Sequence, residues 1–161
     1  MNQAYLLIGG NVGSREQQLV MAANLLQEHC GTVVDRSSFY ETAAWGNTSQ
    51  APFLNQALAL QTKLSARELM GEILHIEALM GRVRKEKFEP RVIDIDIIFF
   101  NHEVICEPNL AVPHPEMQRR RFVLGPLSEI IPAYIHPVLF KTVAELLEEC
   151  PDPLDVKKIS P

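Results

Sequence analysis

Cysteine is scarce in this chain: Cys30, Cys106 and Cys150 are its three copies among 161 residues, and no two stand in a CxxC spacing. That removes a redox or metal-binding cysteine pair and reads as reduced thiols in a cytoplasmic protein. No apolar run approaches the roughly 20 residues of a membrane span. Met1-Asn2-Gln3-Ala4 runs straight into a short strand, with no basic-then-apolar leader before it. His29, His75, His102 and His136 show no ligand spacing, which argues against zinc. Glycine is sparse as well. Gly9, Gly10 and Gly13 complete neither a Walker A loop nor GxGxxG, so they read as a tight strand-to-helix turn, and any use of ATP proceeds without a P-loop. Excess basic charge is absent too: the net charge of −5 argues against a nucleic-acid coat protein. There is no repeat, low-complexity tract or domain linker.

What is present is enough apolar material for one domain over residues 1–161: 47% of residues are hydrophobic, and a charged fraction of 22% does not support disorder. Ala4–Ile8 reads as a strand. Ser14, with Gln17 in the capping-box position, opens a helix over Arg15–His29 whose apolar face is Leu19, Ala22, Ala23 and Leu26. Thr32–Tyr40 and Phe53–Gln61 read as strands, separated by a polar loop over Glu41–Pro52. Ser65 and Glu68 form a capping box for a helix reaching about Met80. A charged loop, Arg82–Pro90, leads into a strand over Arg91–Phe100; Asn101-His102 turns the chain, and Glu103–Ile105 begins a returning edge strand. The order β-α-β-β-α-β predicts an α+β, ferredoxin-like sandwich, with two helices on one face of an antiparallel sheet and the other face open to ligands. Five prolines between Pro113 and Pro137 cut the remainder into an irregular, partly helical extension with a last helix over Thr142–Glu149, and the tail from 151 to 161 reads as a loose or surface-bound end.

Chemistry concentrates in Arg91–Phe100. Side chains at i and i+2 of a strand share a face, so Asp94 and Asp96 point one way while Ile93, Ile95 and Ile97 point the other. Two carboxylates on so apolar a strand repel one another and lose hydration, and a divalent cation compensates both. Hard oxygen ligands suit Mg²⁺ that is also held by substrate phosphates. The competing reading is a pair of solvated acids on an open sheet face. Arg82, Arg84, Lys85, Lys87 and Arg91 crowd the preceding loop, and Arg119-Arg120-Arg121 forms a second basic run. Beside a metal-binding pair such residues grip a polyphosphate; alone they are solvated charge. His114 is held between Pro113 and Pro115, where it can donate to a phosphate oxygen or simply sit in a surface turn. Trp45, Phe53 and Phe122 can stack on a flat heterocycle or pack in the core. Asn55 shares a face with Phe53 and can read the donor and acceptor edge of a ring. Glu77 reads as an exposed acid on the second helix.

Taken together, Pro90-Arg91-Val92-Ile93-Asp94-Ile95-Asp96-Ile97-Ile98, Ile8-Gly9-Gly10-Asn11, Ser37-Ser38-Phe39-Tyr40-Glu41-Thr42, Phe53-Leu54-Asn55, Gly81-Arg82-Val83-Arg84 and Val112-Pro113-His114 resemble the 6-hydroxymethyl-7,8-dihydropterin pyrophosphokinase family of folate biosynthesis, from Ala4 to about Leu127. The resemblance implies a ferredoxin-like fold and transfer of pyrophosphate from ATP, the co-substrate, to the pterin hydroxymethyl group, with AMP released. It implies two Mg²⁺ ions on Asp94 and Asp96. Arg82 and Arg91 match catalytic positions. Glu77, Arg84, Arg91, His114 and Arg120 match ATP-side positions. Phe53 and Phe122 match the aromatics that sandwich the pterin, and Asn55 matches the residue that reads its edge, with backbone groups near Thr42, Ala43 and Trp45. Ala44 and Glu89 stand where the family commonly has proline and glycine. Two other classes remain in view: an RNA-binding module on the same fold, which two exposed aspartates disfavour, and a different two-metal phosphoryl- or nucleotidyl-transfer enzyme. The expected state is a cytoplasmic monomer that binds small molecules, with no nucleic-acid or membrane partner.

Overall fold

The computed structural model describes residues 1–43, 51–81 and 92–159. Its elements run β1 (Asn2–Gly10), α1 (Arg15–His29), β2 (Thr32–Arg36), β3 (Phe39–Thr42), β4 (Phe53–Thr62), α2 (Ala66–Leu79), β5 (Asp94–Phe100), β6 (Ile105–Glu107), β7 (Leu110–Val112), α3 (Arg121–Ile130), α4 (Val143–Glu148) and β8 (Val156–Ile159). The main sheet has the order β5-β1-β4-β3-β8, with β2 also paired to β4, and every pairing is antiparallel. This is the expected ferredoxin-like core, extended at its C-terminal end.

Local signals in the sequence account for much of it. The four apolar residues of α1 named above are its buried ones. Ser65 accepts from the Glu68 N–H and Glu68 accepts from the Ser65 N–H, closing the capping box of α2. Ser14 does not cap α1: with ψ at 84° it is turned out of the extended conformation, and its side chain makes no cap bond. Gly9 and Gly10 belong to β1, and of the three glycines there Gly13 alone adopts a positive φ, 69°. The predicted Thr32–Tyr40 strand is two strands. Ser37 breaks it, because its Oγ accepts from the Ala57 N–H while its carbonyl accepts from the buried Gln56 amide.

The two helices α1 and α2 cover one face of the sheet, packing Leu19, Leu26, Leu69 and Ile73 on Leu6, Ile8, Leu58, Ile95 and Ile97. The opposite face is only partly open. Leu7, Ala57, Ile98 and Phe99 are covered there by Val123, Leu124 and Leu127 of α3 and by Val143 and Leu146 of α4. A register shift between Tyr5 and Leu6 against β5 places Ile98 and Phe99 together on that face, whereas Phe100 joins the first core. The helix over Arg121–Ile130 is not expected from the sequence, because Pro126 lies inside it. Burial of Val123, Leu124, Pro126 and Leu127 outweighs the lost backbone bond. Glu129 also ties α3 to the sheet, accepting from the Tyr40 hydroxyl at 2.6 Å and the Ser38 N–H at 2.9 Å. Burial pushes the Glu129 carboxyl up, but the Tyr40 and Ser38 bonds and Lys158 outweigh it and hold the group below its usual value.

One further expectation is corrected and a second is narrowed. The returning strand does not join the main sheet: Ile105–Glu107 pairs with Leu110–Val112 in a separate two-stranded sheet. Of the two readings of the tail, the described residues take the bound one rather than the loose one. Asp152 is buried and accepts from the Arg121 and Leu154 N–H groups, and β8 pairs with β3 along Phe39–Thr42. Cys30, Cys106 and Cys150 are free thiols, and burial, with a smaller contribution from Glu72, pushes Cys30 up to about 11.

Candidate functional site

Asp94 and Asp96 open β5, half-buried, with Ile95 buried between them on the other face. Asp94 lies opposite Gly9 of β1, and Gly9 lies opposite Asn55 of β4, whose next neighbour across the sheet is Tyr40. Directly paired residues share a face, so carboxylate, glycine, carboxamide and phenol form one row. Asp96 begins the adjacent row with Leu7 and Ala57. Phe53 stands two residues before Asn55 on the same face, opposite Thr42. The carboxylate pair and the Phe53–Asn55 pair thus occupy one surface, two strand spacings or about 10 Å apart.

The outer side of β5 is held from two directions. Glu77 is 2% exposed rather than a solvated helical acid, and its carboxylate accepts from the Ile95 N–H at 2.9 Å. His114 donates its backbone N–H to the Ile98 carbonyl at 2.9 Å. The His114 Nδ1 accepts the Glu116 N–H at 3.2 Å, which leaves the ring proton on Nε2 in the neutral imidazole. Burial and the Arg120 guanidinium hold this imidazole below its ordinary value, against the upward pull of Asp94 and Glu116. His114, Arg120 and Asp94 therefore share one electrostatic neighbourhood. The Arg120 guanidinium also lies 5.9 Å from the centre of the half-buried Phe122 ring.

The arginine run divides by role. Arg119 pairs with Glu116 at the exposed surface, Arg120 turns to Phe122, and Arg121 donates to the carbonyls of Cys150 and Asp152. Arg121 is thus a strap for the tail rather than part of a basic cluster. Thr42 is buried, and its hydroxyl donates to the Asp155 carbonyl at 3.0 Å, while Ala43 is exposed. Trp45, Arg82, Arg84, Lys85, Lys87 and Arg91 lie outside the described residues. Two residues that the sequence did not assign to the site contribute to its frame. Asn11, buried at the end of β1, donates to the Ala51 carbonyl at 2.9 Å. Arg15 donates to the Pro52 carbonyl at 3.0 Å and pairs with Glu41 at 2.7 Å. Both fix the entry to β4 and hence Phe53. The signal for Asn11 was its place beside Gly9-Gly10, ahead of a helix.

The donor set suits a hard cation. Two half-buried carboxylates offer the hard oxygen ligands that Mg²⁺ takes beside its waters and substrate phosphates.

Fold and site together define a ferredoxin-like α+β domain with the Asp94–Asp96 carboxylate pair and the Phe53–Asn55 pair on one sheet face. The sequence matches the family described as 7,8-dihydro-6-hydroxymethylpterin-pyrophosphokinase (HPPK) over residues 5–132. It is 45% identical over 130 residues to the 2-amino-4-hydroxy-6-hydroxymethyldihydropteridine pyrophosphokinase of Bacillus subtilis, covering 80% of this chain and 78% of that one. It is 39% identical over 160 residues to the same-named protein of Methylorubrum extorquens, covering 99% of both. The crystal structure of wild-type Plasmodium falciparum HPPK-DHPS with SDX-DHP superposes with a TM-score of 0.74 at 20% identity, which speaks to the fold alone; it covers 92% of this chain, and the chain spans 43% of that protein. The chain belongs to the 7,8-dihydro-6-hydroxymethylpterin-pyrophosphokinase family. Among the described residues no helix is long and apolar enough to cross a membrane.

Proposed function

We infer that this chain is an ATP-dependent pyrophosphokinase that transfers pyrophosphate from ATP to the hydroxymethyl group of 6-hydroxymethyl-7,8-dihydropterin, giving AMP and the pterin diphosphate, a step in folate biosynthesis. Beyond family membership, the observation that supports this reading is the row Asp94–Gly9–Asn55, in which a carboxylate and a carboxamide share one surface.

In this reading Asn55 reads the pterin edge, and Phe53 and Phe122 stack on its faces, with backbone groups near Thr42, Ala43 and Trp45 completing the pocket. Asp94 and Asp96 would hold Mg²⁺, two ions in the full complex, and the metal would supply neutralisation of phosphate charge during in-line attack on the β-phosphorus. The row orients the hydroxymethyl group toward the carboxylates, so positioning supplies much of the rate and no strong dedicated base is required. His114, neutral with its proton on Nε2, donates to a phosphate oxygen, and Arg120 adds charge beside it. Arg82, Arg84 and Arg91 grip the polyphosphate, and Glu77 acts near the nucleotide; these roles rest on the motif. The protein works as a cytoplasmic monomer on small molecules, with no nucleic-acid partner.

The test is AMP release from Mg·ATP with and without the pterin. Strictly pterin-dependent AMP is expected. ATP binding without pterin-dependent AMP would move the acceptor to another molecule, and no ATP binding would return the aspartates to solvated surface charge.

A further inference from the structure

Gly9 is buried in mid-sheet, with Asp94 on one side and Asn55 on the other. Its φ is not positive, so no left-handed backbone calls for a glycine here. Space does. A Cβ at this position would lie 2.0 Å from the Asn55 Oδ1, 3.1 Å from its Cγ and 3.1 Å from the Leu54 carbonyl oxygen. All three fall inside the roughly 3.5–4.0 Å of favourable nonbonded contact, the first by far the most. The Asn55 carboxamide therefore occupies the volume a side chain on residue 9 would need. It lies across β1 and is itself 4% exposed.

We propose that Gly9 is a positioning residue for pterin recognition: by carrying no side chain it lets the Asn55 carboxamide lie across β1 toward Asp94, and so fixes where the ring edge is read relative to the carboxylate pair. The inference rests on the reading of Asn55 as the pterin-edge residue. Asn is short, with two rotatable bonds, so a methyl group on residue 9 turns the carboxamide out of its plane instead of shifting it slightly. A ring that has left water then finds its donors and acceptors unmatched, and this weakens pterin binding while leaving the nucleotide side intact.

The experiment compares Gly9→Ala, Asn55→Ala and the double variant, reading the KM for the pterin, kcat, Mg·ATP affinity by calorimetry and thermal stability. Gly9→Ala is expected to raise the pterin KM by about 10- to 100-fold, the range for unmatched buried hydrogen-bonding groups, with ATP affinity unchanged. Asn55→Ala should give a similar rise, and the double variant should be no worse than Asn55→Ala, because the alanine then has nothing left to displace. An unchanged pterin KM in Gly9→Ala, or fully additive losses, overturns the proposal. If Gly9→Ala does not fold, the double variant decides. Recovery of fold and ATP binding supports the clash with Asn55, whereas continued misfolding assigns it to the Leu54 carbonyl and overturns the proposal. If Asn55→Ala alone leaves the pterin KM unchanged, the underlying reading of Asn55 has failed, a result distinct from failure at Gly9 only.

Discussion

Glu77 and Ile95 are joined by a buried 2.9 Å hydrogen bond in which the helix α2 carboxylate accepts the strand β5 N–H. Ile95 is the residue between Asp94 and Asp96, so this bond holds the Asp94–Ile95 peptide, one residue before Asp96. Glu77→Ala leaves a buried N–H unmatched and is expected to cost about 1–3 kcal/mol, while Glu77→Gln keeps an acceptor and most of the stability. Urea midpoints compare them; an Ala variant as stable as the parent would remove the structural importance of the bond.

Asp96→Ala is expected to abolish Mg²⁺-dependent turnover. Losing several kcal/mol of charge stabilisation corresponds to about 10³-fold or more in rate. The fold should survive, since removing one of two neighbouring half-buried acids also relieves their repulsion. Near-normal turnover, or activity that persists in excess EDTA, would show that the pair does not serve a metal.

Acid should destabilise the protein below the ordinary histidine range. Burial pushes His136 below 6.5, and burial with Arg120 does the same for His114 against Asp94 and Glu116. The unfolded chain then binds protons that the native state refuses, so this stability is complete above pH 6.5 and is lost as pH falls through the lower native values. Urea midpoints should drop between neutral pH and about pH 5, and His114→Gln should flatten part of the slope. An unaltered slope would mean His114 does not contribute.

Phe140 adopts φ 57° while 78% exposed. A side chain in the left-handed region costs about 1–2 kcal/mol, and little burial offsets it here. Phe140→Gly is expected to raise stability by about 1 kcal/mol, measured by thermal melting; a lower melting temperature would show that the ring packs usefully.

How far the sequence could be read depended on the range of the interactions. The period-two alternation of Ile93–Ile97, the Ser65–Glu68 capping box and the apolar face of Arg15–His29 each decide their own structure within a few residues, and each is found as expected. Placing Phe53 with Asn55, and Asp94 with Asp96, needed no more than the pleat of a strand. Their assembly into one surface depended on the register of β1 with β4 and β5, which no local pattern states. For the same reason Gly9 read as a turn residue, when its neighbour across the sheet makes it a matter of space. The helix around Pro126 and the buried Glu77 are held by contacts with elements distant in sequence, which local propensity and polarity cannot report.

The last strand has a consequence for shortened forms of the chain. β8 covers the outer edge of β3 along Phe39–Thr42, and Lys157 and Lys158 stand on the strand that takes its place at the rim. Cutting the chain before Val156 would bare a row of backbone donors and acceptors that accepts a strand from any neighbouring molecule, without the charges that discourage such pairing. A truncated protein should therefore scatter light and form high-order species on concentration while the full chain stays dispersed, making the final residues a guard on solubility as much as a part of the fold.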